Sequence, residues 1–254
     1  MLYIDQDFTY SSSQNMALDS YLIEKIEDQV ILRIYEFSRP SITLGFAMKP
    51  KDVFESIPDH IDCSKRVTGG KALTHDQGLT YSIHIPRSMI AEGLQESYKI
   101  LSQPIYDALF ELNPDVKFTE DQLFNDRQNP ICFMEHKVET ITLNGAKIVG
   151  SAQKRTKNCI LQHGEINVFP SNIDLSKLIK TKNSQNFSNT DYTKRCSSLM
   201  DRAHDKDSKE IKKRIKQLIL KNFEKKYGKS TPYPIKSLDQ NAIDFLAKKL
   251  KINL

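Results

Sequence analysis

Ile141-Thr142-Leu143-Asn144-Gly145-Ala146-Lys147-Ile148-Val149-Gly150-Ser151-Ala152-Gln153 is the stretch on which the fold turns. Asn144-Gly145 is a strong two-residue hairpin signal, because a type I′ turn needs positive φ at both central positions. A strand over 138–143 is therefore expected to return as an antiparallel partner over 147–153, with a further strand over 159–169. Lys147 stands out in the apolar return strand. An ammonium is costly to bury unless it finds a partner. The pattern fits an edge-strand lysine facing water equally well. Gly150, three residues on, is where a second backbone can come close.

The elements on either side fit the same picture. Cap formers at Ser11 to Ser13 precede apolar residues at helical spacing, predicting a helix over about 14–27. Alternation predicts a strand over 30–37, broken at Arg39-Pro40, and a second over 41–46. A short helix over 51–56 and a strand over 79–85 follow. Helical spacing returns over 95–112, and a polar loop spans about 113–130. The last third reads as helices over 175–179, 209–227 and 238–250. The expected fold class is α+β, a mixed and mostly antiparallel sheet flanked by helices. Residues 1–254 read as one domain with closing helices from about 205.

The chain has 254 residues, 39% hydrophobic and 27% charged, an ordinary globular balance. It has no run of about 18 apolar residues, so no membrane span is expected. Asp5 and Asp7 near the N-terminus do not suit a secretory leader. Cys63, Cys132, Cys159 and Cys196 show no CxxC spacing, so neither a metal cluster nor a disulfide framework is expected. Cys63 and Cys159 read as packing, and Cys196 has no evident partner in its Ser-rich loop. Reduced thiols point to the cytoplasm. From Asp201 onward, fifteen Lys or Arg face seven Asp or Glu. That segment suits an acidic macromolecule, either nucleic acid or an acidic carrier protein, and equally a solvated helix face.

Three blocks carry chemistry. In Arg66-Val67-Thr68-Gly69-Gly70-Lys71, paired glycines let the backbone approach a ligand and aim N–H groups at an oxyanion. His75 follows six residues after Gly69. The spacing is neither that of a P-loop nor that of a dinucleotide fingerprint, and the pair alone is also the mark of a tight turn. The second block is Lys147-Ile148-Val149-Gly150-Ser151-Ala152-Gln153. In the third, polar Gln162 and His163 interrupt an apolar strand before Gly164, as cleft-lining residues do, although a lone histidine there is also a common core residue.

In this order, after Asn15-Met16-Ala17-Leu18-Asp19, these blocks resemble the biotin/lipoate protein ligase superfamily, which comprises lipoate-protein ligases and octanoyltransferases. The resemblance implies protein lipoylation, with two chemistries open. Lipoate-protein ligases activate free lipoate with ATP and Mg2+. Octanoyltransferases take octanoyl from acyl carrier protein through a cysteine thioester. Both acylate a lysine of a lipoyl domain or a glycine-cleavage H-type protein. Cys132 lies fifteen residues before Lys147, a position similar to the nucleophile and lysine of the cysteine-dependent octanoyltransferases. An ammonium near a thiol favours the reactive thiolate. The resemblance therefore implies Cys132 and Lys147 as catalytic residues. It implies an acyl site lined by Arg66, Thr68, Gly69, Gly70, His75, Tyr81 and Ser82 on one side. Gly150, Ser151, Ala152, Gln153, Gln162, His163 and Gly164 would line the other. No cofactor or metal is expected on the transferase route, and neither nucleic acid nor membrane is an expected partner. Lys71 stands where the family often has a third glycine, and Met134 to Thr140 departs from the usual transferase pattern. A non-catalytic binding module is the remaining alternative.

Overall fold

The main sheet is built from β1 (Leu2–Asp5), β2 (Ile31–Tyr35), β6 (Leu79–Pro86), β10 (Val149–Arg155), β11 (Cys159–Ile166) and β12 (Thr231–Pro232), in the order β10-β11-β6-β2-β1-β12. β1 pairs in parallel with β2 and β12, and the remaining neighbours are antiparallel. The sheet is thus mixed and mostly antiparallel, as expected. The computed structural model describes residues 1–5, 10–25, 28–90, 93–119, 129–135, 140–180, 195–201 and 205–253. Among these, no helix is long and apolar enough to cross a membrane.

The two-residue period of the central strands sorts their side chains by face. Leu32 and Ile34 of β2, and Ile83 and Ile85 of β6, join one apolar cluster with Leu101, Ile105, Ile215, Ile219 and Phe223. Those last residues come from α3 (Leu94–Leu112) and α5 (Asp205–Tyr227). The opposite face carries Arg33, Ser82, His84 and His163, all buried against α1 (Ser12–Lys25) or the cleft. α1 in turn packs on α6 (Gln240–Leu250) through Leu18, Leu22, Ile243 and Ala247. α1 starts with a capping box: Gln14 N–H donates to Ser11 Oγ at 3.4 Å, and Ser11 N–H donates to Gln14 Oε1 at 3.1 Å.

Two small sheets sit beside the main one. β3 (Ser41–Leu44) lies between β4 (Asp62–Lys65) and β5 (Leu73–His75). β8 (Ile141–Leu143) lies between β7 (Val116–Phe118) and β9 (Ala146–Lys147). Two short helices, α2 (Pro50–Val53) and α4 (Leu175–Leu178), bracket the remaining cluster around Phe54, Ile61 and Phe133.

The structure redraws two expectations. The hairpin turn forms, with Asn144 at φ 52° and Gly145 at φ 80°. Its return strand, however, is shared between two sheets. β9 pairs with β8 for two residues, and the chain then enters β10, which pairs with β11. Ile148 is the joint: its N–H donates to Ile141, and its carbonyl accepts from Asn167. Second, residues 116–118 of the expected loop form β7. Three residues that alternate only once leave too little pattern to read as a strand. The expected loop's residues 120–128, the strand expectation at 138–139 and the helix expectation at 26–27 lie outside the described residues.

Candidate active site

The Gly69-Gly70 turn is held from below. Gly70 has φ 96°, and a Cβ on Gly45 would lie 1.9 Å from the Gly70 carbonyl oxygen, so two backbones touch here. Arg66, 3% exposed, is spent on this turn. Its Nη1 donates to the Thr43 carbonyl at 2.7 Å and to Thr43 Oγ1 at 2.9 Å. Its Nη2 donates to the carbonyls of Gly69 at 3.2 Å and Lys71 at 2.7 Å. Burial pulls its pKa down to about 10, with Cys132 and Tyr35 opposing, so it stays cationic at neutral pH.

Beneath the turn stand two imidazoles in matching surroundings. His75 bonds Glu165 Oε2 through Nδ1 at 2.8 Å and Thr43 Oγ1 through Nε2 at 2.8 Å, with its ring stacked on Phe37. The Thr43 hydroxyl thus links Arg66 Nη1 to His75, and both ring nitrogens of His75 have partners. His163 bonds Asp19 Oδ2 through Nδ1 at 2.9 Å and Thr68 Oγ1 through Nε2 at 2.7 Å. Asp19 also accepts from Arg33, from Tyr35 OH at 3.1 Å and from Ser82 Oγ at 2.7 Å. Burial alone would raise its carboxyl pKa. The Arg33 guanidinium and the His163 bond outweigh that and hold it well below the usual carboxylate range. Burial also keeps His163 below an ordinary imidazole, against the pull of Asp19. His84, bonded to the Asp19 carbonyl at 3.1 Å, is pushed down to about 4 by burial.

The facing wall is the segment 129–135. Ala72 N–H donates to the Pro130 carbonyl at 2.7 Å, and Cys132 N–H donates to the Ala72 carbonyl at 2.8 Å. These two bonds hang Cys132 at the end of β5. Phe133 fits because Gly150 has no side chain: a Cβ there would lie 3.2 Å from Phe133 Cζ. Lys147, 7% exposed, reaches this wall rather than water. Its Nζ donates to the carbonyls of Cys132 at 3.1 Å and Glu135 at 2.9 Å, and lies 3.9 Å from Cys132 Sγ. Of the four thiols, all free, Cys132 alone is half-buried, while Cys63, Cys159 and Cys196 are buried. Burial pushes the Cys63 thiol up to about 12 and Cys159 up to about 11, which leaves both inert. Cys196 does have partners, contrary to the sequence reading. It bridges to Lys147 in the backbone, and Asn167 Nδ2 lies 3.4 Å from its Sγ.

Between the walls runs a cleft. Of the residues expected to line it, Arg66, Gly70, His75, Cys132, Ser151, Ala152, His163 and Gly164 do so. Met16, Leu73 and Thr80 complete its lining. Lys147 and Gly150 act on its wall from behind. Thr68 and Ser82 support His163 and Asp19 as described. Gln162 and Gln153 pair with each other at 2.7 Å and turn toward α3, through Ser102 and Ser97. Tyr81 is buried, with its hydroxyl 2.7 Å from Ser151 Oγ.

A family model described as the lipoyl protein ligase A/B catalytic domain matches residues 11–220. The chain belongs to that family. This bears out the resemblance read from the motifs. Octanoyltransferase LipM of Clostridioides difficile is 30% identical over 184 residues, covering 68% of each chain. Octanoyltransferase LipM of Bacillus cereus is 31% identical over 182 residues, covering 66% of this chain and 64% of that protein. The chain thus spans about two thirds of the length of these relatives. Among solved structures, a bi-partite lipoate protein ligase from Thermoplasma acidophilum superposes with TM-score 0.70 at 15% identity, covering 98% of this chain and 90% of that one. At that identity, the lipoyl ligase fold is what the two share.

Proposed function

We propose that this member of the lipoyl protein ligase A/B family is an octanoyltransferase. It moves an octanoyl or lipoyl group from acyl carrier protein, through a thioester on Cys132, to a lysine of a lipoyl-domain acceptor or glycine-cleavage H-type protein. The observation that carries this reading is the Lys147 ammonium 3.9 Å from the Cys132 sulfur, at a cleft whose opposite wall is fixed. The similarity to named octanoyltransferases supports it.

In the first half-reaction the Cys132 thiolate attacks the donor's thioester carbonyl. The bond to the carrier's sulfur breaks, and that thiolate takes a proton from the Lys147 ammonium. In the second, the acceptor amine attacks the Cys132 thioester and gives its proton to the now neutral Lys147. The bond to Cys132 breaks, restoring the thiolate and the ammonium. Backbone N–H groups near Gly70 or Gly150 would hold the oxyanion. Met16, Leu73 and Ala152 offer apolar surface to the chain, at about 0.8 kcal/mol per buried methylene. Exposed Lys213, Lys221 and Lys225 on α5 would steer an acidic carrier, so turnover should fall as salt rises. No cofactor enters this route.

Incubation with octanoyl-acyl carrier protein followed by mass spectrometry tests the reading. An octanoyl adduct on Cys132, absent in Cys132→Ala, is the expected result. Lipoate transfer that needs ATP and Mg2+ and survives Cys132→Ser would make the protein a lipoate-protein ligase instead. Neither adduct nor turnover would leave a binding module.

A further inference from the structure

Glu135 faces two ways. Its carbonyl accepts from Lys147 Nζ at 2.9 Å, and its carboxylate pairs with Lys71 Nζ at 3.2 Å. Both side chains of that ion pair are only 16% exposed, which shields the pair from full screening by water. Lys71 is anchored in turn, because its carbonyl accepts from Arg66 Nη2 at 2.7 Å. A continuous chain of contacts therefore runs from Arg66 through Lys71 and Glu135 to Lys147 and Cys132, joining the two walls.

We infer that the Lys71–Glu135 ion pair is a positioning device that holds the Lys147 ammonium against Cys132. The inference rests on the acyltransferase reading for its kinetic consequence, but not for its chemical one. Without the pair, the Glu135 carboxylate loses its tie to Lys71, and residues 133–135 keep the packing of Phe133 and Met134 and the backbone bonds around Cys132. The carbonyl that anchors Lys147 then wanders, and the distance to the sulfur widens. Small displacements of this kind cost rate steeply.

The test uses Lys71→Met, Glu135→Gln, Lys71→Arg and the double swap Lys71→Glu with Glu135→Lys. Two quantities are read: kcat and KM for octanoyl transfer, and the iodoacetamide alkylation rate of the Cys132 peptide at fixed neutral pH without substrate. Lys71→Met and Glu135→Gln are expected to lower kcat and alkylation about tenfold while leaving KM within about twofold. Lys71→Arg should keep most of both, and the swap should recover a substantial part. Wild-type alkylation and kcat in Lys71→Met would overturn the inference. So would a loss that merely tracks a lowered melting midpoint, or a swap that restores stability but not alkylation. If wild type forms no octanoyl adduct, the acyltransferase reading fails, while the alkylation series still decides the role of the pair.

Discussion

The wall of the cleft built from β5, β6 and β11 and the wall built from residues 129–135 are held by unlike means. The first is secured by side chains that water does not reach: Asp19, Arg33 and Ser82 are fully buried, and His75, His163 and Glu165 nearly so. The His75 and His163 imidazoles are each fixed on both nitrogens. The second wall is held by two backbone bonds at Ala72, the buried apolar side chains of Ile131, Phe133 and Met134, one partly exposed ion pair and the reach of Lys147. A buried, densely bonded polar network costs much to disturb. The polar ties of the second wall, backbone bonds and one ion pair that water still reaches, cost less. The first wall therefore serves stability and shape, and the second, which carries the proposed nucleophile Cys132, would serve chemistry.

Four substitutions or titrations sharpen that division, beginning with the largest effect. Lys147→Met should lower the transfer rate by about a thousandfold if Lys147 is the proposed proton carrier, while costing only a minor part of the stability. Rate and urea midpoint together check this, and global unfolding would erase the distinction between the walls. Asp19→Asn should do the opposite. It leaves the Arg33 charge buried without its counter-ion, at a cost of about 3–5 kcal/mol in a urea titration. A loss under 1 kcal/mol would mean that the first wall is not what holds the fold.

The imidazoles give the first wall a pH signature. His84 is held at about 4, below the roughly 6.5 of a free imidazole, and His163 is lowered too. Between those values the unfolded chain binds protons that the folded one refuses. Stability is therefore full above about pH 6.5 and falls as pH drops toward 4, by about 3 kcal/mol from His84 alone. His84→Asn should flatten that slope, and an unchanged slope would place its origin elsewhere. The smallest effect is expected from Gly164→Ala. A Cβ there would lie 2.4 Å from the Gly150 carbonyl oxygen and 2.7 Å from Ser151 Oγ, costing about 1–3 kcal/mol by thermal melting.

The wall that carries chemistry was the more legible of the two in the sequence. Asn144-Gly145 announced the hairpin, Lys147 stood out in an apolar strand, and Cys132 was reached through the family resemblance. The first wall was read through Arg66, Thr68, His75, Tyr81, Ser82, Gln162, His163 and the glycines, but the family resemblance did not extend to the partner roles of Asp19, Arg33 and Glu165. Asp19 lies within an apolar helical repeat, and its partners are 14 residues away at Arg33, 63 at Ser82 and 144 at His163. Separations of that size leave no local pattern. Glu165 was hidden in the same way, although a carboxylate two residues after a histidine on an otherwise apolar strand shares its face and is a signal that period-two counting can find. Gln162 and Gln153 interrupt the same strands for a different reason: they meet the serines of α3 on the far face.

Ile148 gives the cleft one fixed dimension. It joins Lys147, which belongs to the small sheet and grips the Cys132 segment, to Gly150, which belongs to the main sheet. Three residues of chain, fully extended, reach about 10 Å. However far the Cys132 segment shifts to admit a carrier's acyl group or an acceptor's lysine, it moves on a tether of that length for as long as Lys147 keeps hold of it. The proposed proton carrier and the backbone beside the proposed oxyanion site thus share one covalent ruler, whose length is set by residue count rather than by packing. One extra residue between Lys147 and Gly150 would lengthen it by about 3.5 Å and invert the faces of β10, taking Ser151 off the Tyr81 hydroxyl and Ala152 off the His163 face.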